Sequence, residues 1–184
     1  MSKKEIRIHF LEKRKAIPQG IHKIWSQRIA DSVQEGLSSD HKWIHIFLPI
    51  ASKAEVATHE LIKILWASGK KVVVPKIQPK GQLSNHLWMP ATPKLVNQWG
   101  ITEPIDDNSI EAQQLDVVIV PLLAIDQNGQ RVGYGKGFYD KFTDNTNCIK
   151  IGLSFFSPEE LIEDTKSHDL QLDYCITPNQ IHQF

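Results

Sequence analysis

An α/β domain built on an open, mostly parallel sheet, with helices over both faces in three layers, is the architecture this sequence predicts. Three observations carry that expectation. Val72, Val73 and Val74 stand in succession. Val117 to Val120 form a second uninterrupted apolar run, and strands read this way when both of their faces are covered, the usual condition of a parallel sheet. Ahead of the first run, apolar residues recur every three or four positions on either side of a short strand-like segment, so strands and helices alternate along the chain.

Taken in order, Lys3 to Ala16 carries Ile6, Phe10 and Leu11 at helical spacing, and Pro18 follows the expected stop. Ile21, Ile24, Trp25, Ile29 and Val33 define a second helix that ends near Gly36. Trp43 to Leu48 is short, aromatic and β-branched, and Pro49 closes it as a strand. A third helix, capped by Thr58 or a neighbour, buries Leu61, Ile62, Leu65 and Trp66 and stops at Gly69. Lys71 to Ile77 is the next strand. The Pro-, Gly-, Asn- and Trp-rich stretch from Lys80 to Gly100 holds at most a short strand around Leu83 to Met89. Leu115 to Val120 is a buried strand ended by Pro121, Phe138 to Phe142 a short helix, and Lys150 to Phe155 and Tyr174 to Thr177 the closing strands.

The 184 residues suit a single domain spanning 1–184, with 41% apolar and 23% charged side chains as in ordinary globular proteins. Twenty-one basic residues balance 21 acidic ones. Nucleic-acid binders carry an excess of Lys and Arg to replace phosphate counterions, so the balance argues against that class, and any anion site must be a local concentration of charge. No apolar run approaches the length of a bilayer span, and Met1 to Lys15 lacks the apolar core of a signal peptide. Cys148 and Cys175 are too few for a disulfide framework and lack metal-ligand spacing. The expectation is a cytoplasmic, monomeric protein with reduced thiols and no membrane or nucleic-acid partner. His41 and His45 flank a strand-like segment, where a spacing of four does not make a helical metal pair, and they read as structural.

Chemistry concentrates in Arg131-Val-Gly-Tyr-Gly-Lys-Gly-Phe-Tyr-Asp140, which follows a buried strand and precedes a helix. Alternating Gly133, Gly135 and Gly137 permit unusual backbone angles and close approach to a ligand. Successive amides at such a turn point donors at an anion, and Arg131 and Lys136 add positive charge. A polyphosphate suits every element. The segment is neither a P-loop, since Gly137 and not Ser or Thr follows Lys136, nor a Rossmann fingerprint, since Phe138 stands where its third glycine belongs. A solvated glycine-rich surface turn accounts for the composition equally well. Placement beyond a buried strand favours the ligand site, because open α/β sheets bind ligands past the carboxyl ends of their strands. Asp140 is a candidate magnesium ligand or a partner for the helix dipole. Residue types alone do not separate Asp169 from Asp164 or Asp173 as its companion.

The glycine run, the strand ending in Val120-Pro121 and Asp126-x-x-Gly129 together resemble the signature of the 5-formyltetrahydrofolate cyclo-ligase (5,10-methenyltetrahydrofolate synthetase) family. The likeness extends over nearly the whole chain. It takes in Lys3, Lys4 and Arg7 of the opening helix, Ala54-Glu55-Val56-Ala57-Thr58, Gly100-Ile101-Thr102-Glu103-Pro104 and the pair His168-Asp169. Val132, Ile125 and Phe138 stand where the family often has leucine, phenylalanine and tyrosine, which conserves apolar bulk.

The resemblance implies a NagB/RpiA/CoA-transferase-like fold and an ATP- and magnesium-dependent ligase of one-carbon folate metabolism. Such an enzyme converts 5-formyltetrahydrofolate to 5,10-methenyltetrahydrofolate, ADP and phosphate through a phosphorylated formyl (imidate phosphate) intermediate. It implies ATP contacts from Lys3, Lys4 and Arg7 and from Arg131, Val132, Gly133, Tyr134, Gly135, Lys136, Gly137, Phe138 and Tyr139, with Lys136 and Arg131 nearest the chemistry. Ile50, Glu55 and Trp99 would contact folate, as would Tyr134 to Phe138, because the formyl group must reach the γ-phosphate. Asp140 and Asp169 would hold the magnesium ion. Each has a plainer reading: Lys3 and Lys4 as a solvated helix face, Glu55 as a first-turn helix carboxylate, Ile50 and Trp99 as packing residues. Two other functions remain open, a phosphosugar isomerase or transferase on a similar scaffold and a non-catalytic nucleotide-binding module.

Overall fold

The computed structural model describes residues 2–98, 100–105, 109–143, 146–159, 161–166 and 169–184. Helices α1 (Lys3–Lys15) and α2 (Gln19–Gly36) open the chain, α1 with a capping box in which Ser2 and Glu5 satisfy each other's backbone N–H groups. Strand β1 (Trp43–Ile46), helix α3 (His59–Ala67), and strands β2 (Lys71–Gln78) and β3 (Gln82–Leu87) follow. A small antiparallel pair, β4 (Lys94–Val96) and β5 (Thr102–Pro104), precedes β6 (Val117–Pro121). A second antiparallel pair, β7 (Ala124–Ile125) and β8 (Arg131–Val132), leads through the glycine run to α4 (Phe138–Thr143). The chain closes with β9 (Ile149–Leu153), β10 (Tyr174–Ile176) and β11 (Ile181–Gln183).

Among the described residues the main sheet has seven strands in the order β11-β10-β9-β6-β1-β2-β3. Every pairing from β10 to β2 is parallel, and only the edge strands β3 and β11 run antiparallel. The expected mostly parallel α/β sheet is therefore present, and the valine run behaves as a strand covered on both sides. Val72 and Val74 face one core with Ile44, Ile46, Val117 and Ile119, against Ile29 and Val33 of α2 and Leu61, Ile62 and Leu65 of α3. Val73 faces the other with Val118, Val120 and Tyr139 of α4. Full burial of each such side chain contributes about 1.5–3 kcal/mol.

The expected helices and principal strands occur within a few residues of their read boundaries. Thr58 does stand at the start of α3, but its hydroxyl donates to the Phe47 carbonyl at 2.8 Å and caps no helix N–H. That bond ties the helix to the end of β1 instead. Strands β4, β5, β7, β8 and β11 were not expected; each is only two or three residues long, too short to show a period. Cys148 and Cys175 are unbridged and buried, and burial pushes the Cys175 thiol up to about 12. His45 is fully buried beside Tyr139 and Phe142, and desolvation depresses its imidazole to about 3. No helix among the described residues is long and apolar enough to cross a membrane.

Candidate active site

The chain leaves β1 toward α3 and β2 on one side of the sheet, and leaves β6 toward α4 and β9 on the other. The neighbours β1 and β6 thus flank the point where strand order reverses, the place at which open α/β sheets leave a crevice past their carboxyl ends. Two loops meet there. The one after β1 carries Ile50 and Glu55; the one after β8 carries the glycines.

Local chemistry shapes both. Asp126, 1% exposed, accepts hydrogen bonds from the N–H groups of Asn128 and Gln130, both at 2.9 Å, and from Ile162 N–H at 3.1 Å. These close the β7–β8 turn and aim β8 back at the sheet. In the other loop Ala54 adopts a left-handed conformation, φ 48°, which costs a non-glycine residue about 1–2 kcal/mol. Its flanks are pinned: Lys53 carbonyl accepts from Arg14 Nε at 2.8 Å, and Glu55 carbonyl lies 2.9 Å from His22 Nε2. Among the described residues His22 Nε2 faces the Ala54 and Glu55 carbonyl oxygens, which suits the tautomer that donates from Nε2.

The turn drives Glu55 inward. Its carboxylate, 4% exposed, accepts from Ile50 N–H at 2.7 Å and from the Tyr134 hydroxyl at 2.6 Å. Burial raises the carboxyl above its ordinary range, and these two donors offset part of that rise. The Tyr134 phenol is likewise raised, by its own burial and by the adjacent Glu55. The Tyr134–Glu55 contact therefore joins the two loops across 79 residues of sequence.

Within the glycine run, Gly135 has φ +85°, and a Cβ there would come within 3.3 Å of the Arg7 guanidinium. Arg7 Nε donates to Gly133 carbonyl at 2.9 Å, and a Cβ at Gly133 would meet Arg131 Nη1 at 2.6 Å. Glycine here lets two guanidinium groups lie against the main chain. Lys136 is exposed at the tip. Helix α4 spans only six residues, so the loop amides and these cations carry more of the positive potential than its dipole does.

Arg131 pairs with Asp140 at 2.8 Å; burial lowers the guanidinium pKa and Asp140 partly opposes this. Asp140 also accepts from Leu170 N–H at 3.0 Å, which brings Asp169 into the same corner, where it pairs with Lys3. Both carboxylates act electrostatically on Arg131. The ambiguity over Asp140's companion narrows accordingly: Asp164 caps the Lys3 N–H at 2.9 Å, while Asp173 accepts from Lys150 N–H at the amino end of the strands, away from the glycine loop. Two hard carboxylates are the donors magnesium takes alongside phosphate oxygens and water; here Arg131 and Lys3 occupy them, and among the described residues no larger cluster of metal-ligating side chains occurs.

Lys3, Arg7, Ile50, Glu55, Arg131, Tyr134, Asp140 and Asp169 are thus drawn into one region. Lys4 is not; it is exposed, about 100° around α1 from Lys3. Val132 is buried among Ile6, Phe10 and Leu123, and Tyr139 packs on His45, so only their main chains remain to meet a nucleotide. Phe138 packs over Gly81, whose Cβ would lie 3.2 Å from the ring. Trp99 and His168 lie outside the described residues. Sequence reasoning missed Arg14, although it follows Arg7 by one heptad on the same helix face. A cleft of about 400 Å³, lined by Cys148, Lys150 and Asp173 among others, sits at the amino ends of β9 and β10 and holds none of the residues drawn together at the glycine loop.

The chain is similar to proteins already known. The profile of the 5-formyltetrahydrofolate cyclo-ligase family matches residues 1–178. The chain is 36% identical over 118 residues to a Haemophilus influenzae protein named 5-formyltetrahydrofolate cyclo-ligase, covering 60% of this chain and 63% of that relative. It is 32% identical over 137 residues to the Escherichia coli protein of that name, covering 71% and 75% of the two chains. The solved structure of Aquifex aeolicus 5,10-methenyltetrahydrofolate synthetase superposes with a TM-score of 0.84 at 26% identity, covering 100% of this chain and 93% of that one.

Proposed function

Because the chain belongs to the 5-formyltetrahydrofolate cyclo-ligase family, a family of ligases, we propose that it uses ATP to convert 5-formyltetrahydrofolate to 5,10-methenyltetrahydrofolate with release of ADP and phosphate. The observation that carries the proposal is the Tyr134–Glu55 hydrogen bond. It brings a loop rich in amides and cations into contact with a loop that presents a buried carboxylate. One is chemically suited to a triphosphate and the other to a pterin.

In this reading the formyl oxygen attacks the γ-phosphorus, the bond to ADP breaks, and an imidate phosphate results. N10 then attacks the activated carbon, loses its proton, and expels phosphate as the ring closes. No side-chain nucleophile takes part; the protein contributes position and charge. Arg7, Arg131, Lys136 and the amides of the glycine loop bind the triphosphate, and Lys136 and Arg131 offset charge at the transferred group. Lys3 supports them from α1, and Lys4 reaches the nucleotide only by extending from its exposed position. Glu55 accepts hydrogen bonds from pterin N–H groups, and Ile50 and Trp99 contact the folate. Asp140 and Asp169 would hold magnesium, which when bound neutralises phosphate charge. The folate side has a pH dependence of known sign: a protonated Glu55 donates where the pterin needs an acceptor, so folate KM rises as pH falls through its raised pKa.

The test combines turnover with ligand-dependent melting. Wild-type protein given ATP, magnesium and 5-formyltetrahydrofolate is expected to form the methenyl product, monitored by its absorbance. ATP-magnesium and 5-formyltetrahydrofolate, each at about 100 times Kd, are expected to raise Tm by roughly 5–10 °C, from about 2.7 kcal/mol of linkage. Stabilisation by sugar phosphates alone would sink the proposal and favour the isomerase reading.

A further inference from the structure

Arg14, which pins the turn before Ala54, is 5% exposed, and its guanidinium meets three separate elements. Nε donates to Lys53 carbonyl at 2.8 Å and Nη1 to Leu122 carbonyl at 3.0 Å, while Nη2 donates to the Tyr134 hydroxyl. The first acceptor precedes the left-handed Ala54 that turns Glu55 inward, the second follows β6, and the third is the residue that touches Glu55. Five N–H donors in a rigid plane allow one side chain to set three loops at once, which a lysine cannot do. Donation runs one way, from Arg14 to Tyr134 to Glu55, so the phenol has its single proton committed to the carboxylate.

Resting on the proposed cyclo-ligase reading, we infer that Arg14 is a positioning residue for the folate end of the site. It holds Tyr134 against Glu55 and fixes the Lys53–Glu55 turn, so that the pterin-facing carboxylate and the glycine loop keep one register. Arg14 touches neither substrate; it acts through the Tyr134 hydroxyl and the Lys53 carbonyl. The groups that act electrostatically on Glu55 or respond to it are Arg14, Lys53, Tyr134 and Tyr139. Since Lys53 and Tyr139 remain in every variant below, changes at Glu55 report on the Arg14–Tyr134 pair.

A double-mutant cycle tests the inference. Arg14→Gln is expected to raise folate KM roughly tenfold or more, as displacement of a positioned group does, with ATP KM within about twofold. In the Tyr134→Phe background the same substitution is expected to raise folate KM by a clearly smaller factor, about threefold or less, because the hydroxyl is gone and only the tie to the Lys53 carbonyl is left to lose. Arg14→Lys, which keeps the charge without the fork, replaces Arg14→Gln in the cycle if the latter does not fold, with the same expectation. Equal effects in both backgrounds, an unchanged folate KM, or a loss confined to ATP KM overturns the inference. The second readout needs no turnover: ¹³C NMR titration of the Glu55 carboxyl is expected to give a higher midpoint in the Arg14 variant than in wild type. An unchanged midpoint overturns the inference. Inactive wild-type protein with a shifted midpoint overturns the cyclo-ligase reading and leaves Arg14's positioning of Glu55 and Tyr134 standing.

Discussion

At Glu55 a carboxylate is held 4% exposed with two hydrogen-bond donors, too few to cancel the loss of water around a charge. Its pKa is therefore raised in the folded protein, which fixes the sign of a stability effect. With the folded value above the unfolded one, the folded state holds the proton more tightly. Stability from this group is fully present below the ordinary carboxyl range and is lost as pH rises through the raised value. Glu55→Gln does not titrate, so urea unfolding of both proteins across pH isolates the effect. The wild type is expected to lose stability relative to Glu55→Gln as pH rises from about 4 toward neutrality. A gap that is constant with pH, or that moves the other way, contradicts the burial seen here. This residue was legible in the sequence through its place in Ala54-Glu55-Val56-Ala57-Thr58, but its partner was not. Tyr134 lies 79 positions away, and Arg14 was hidden because its neighbours on α1, Ile6 and Phe10, dominate the apolar reading of that helix.

At the scale of elements, what sequence disclosed followed burial. Val72 to Val74 in β2 and Val117 to Val120 in β6 are apolar without interruption because both faces are covered there, and α2 and α3 show a clear stripe because only one face is. The β7–β8 hairpin escaped because each strand has only two residues and the turn is held by one side chain, Asp126. That hairpin sets where the glycine run begins, and Gly129 is the residue it depends on most. Its φ is +76°, and a Cβ there would meet Leu172 carbonyl and the Phe184 ring at 2.8 Å. Backbone cannot yield as a side-chain tip can. Gly129→Ala is expected to cost about 2 kcal/mol or more, combining the strained conformation with the clash. Chemical denaturation measures it, and a loss below about 0.5 kcal/mol would contradict the packing of this turn.

Over the whole molecule, the order in which strands enter the sheet decides where chemistry can occur. The reversal between β1 and β6 opens one crevice, and α1 lies across it with Lys3, Arg7 and Arg14 turned toward the loops. The glycine segment was legible as an anion cradle from its composition and its place after a buried strand. That it also faces a second loop with a buried carboxylate was not, because the contact exists only once β1 and β6 are neighbours. The proposed function places two substrates at that junction, with Lys136 at the exposed tip of the loop nearest the transferred phosphate. Turnover of Lys136→Ala with saturating ATP-magnesium and 5-formyltetrahydrofolate tests this most directly. The account predicts a fall in kcat of about 100-fold or more, as for loss of one electrostatic contact to a transition state, with Tm unchanged. Methenyl product formed by the variant at the wild-type rate would contradict it.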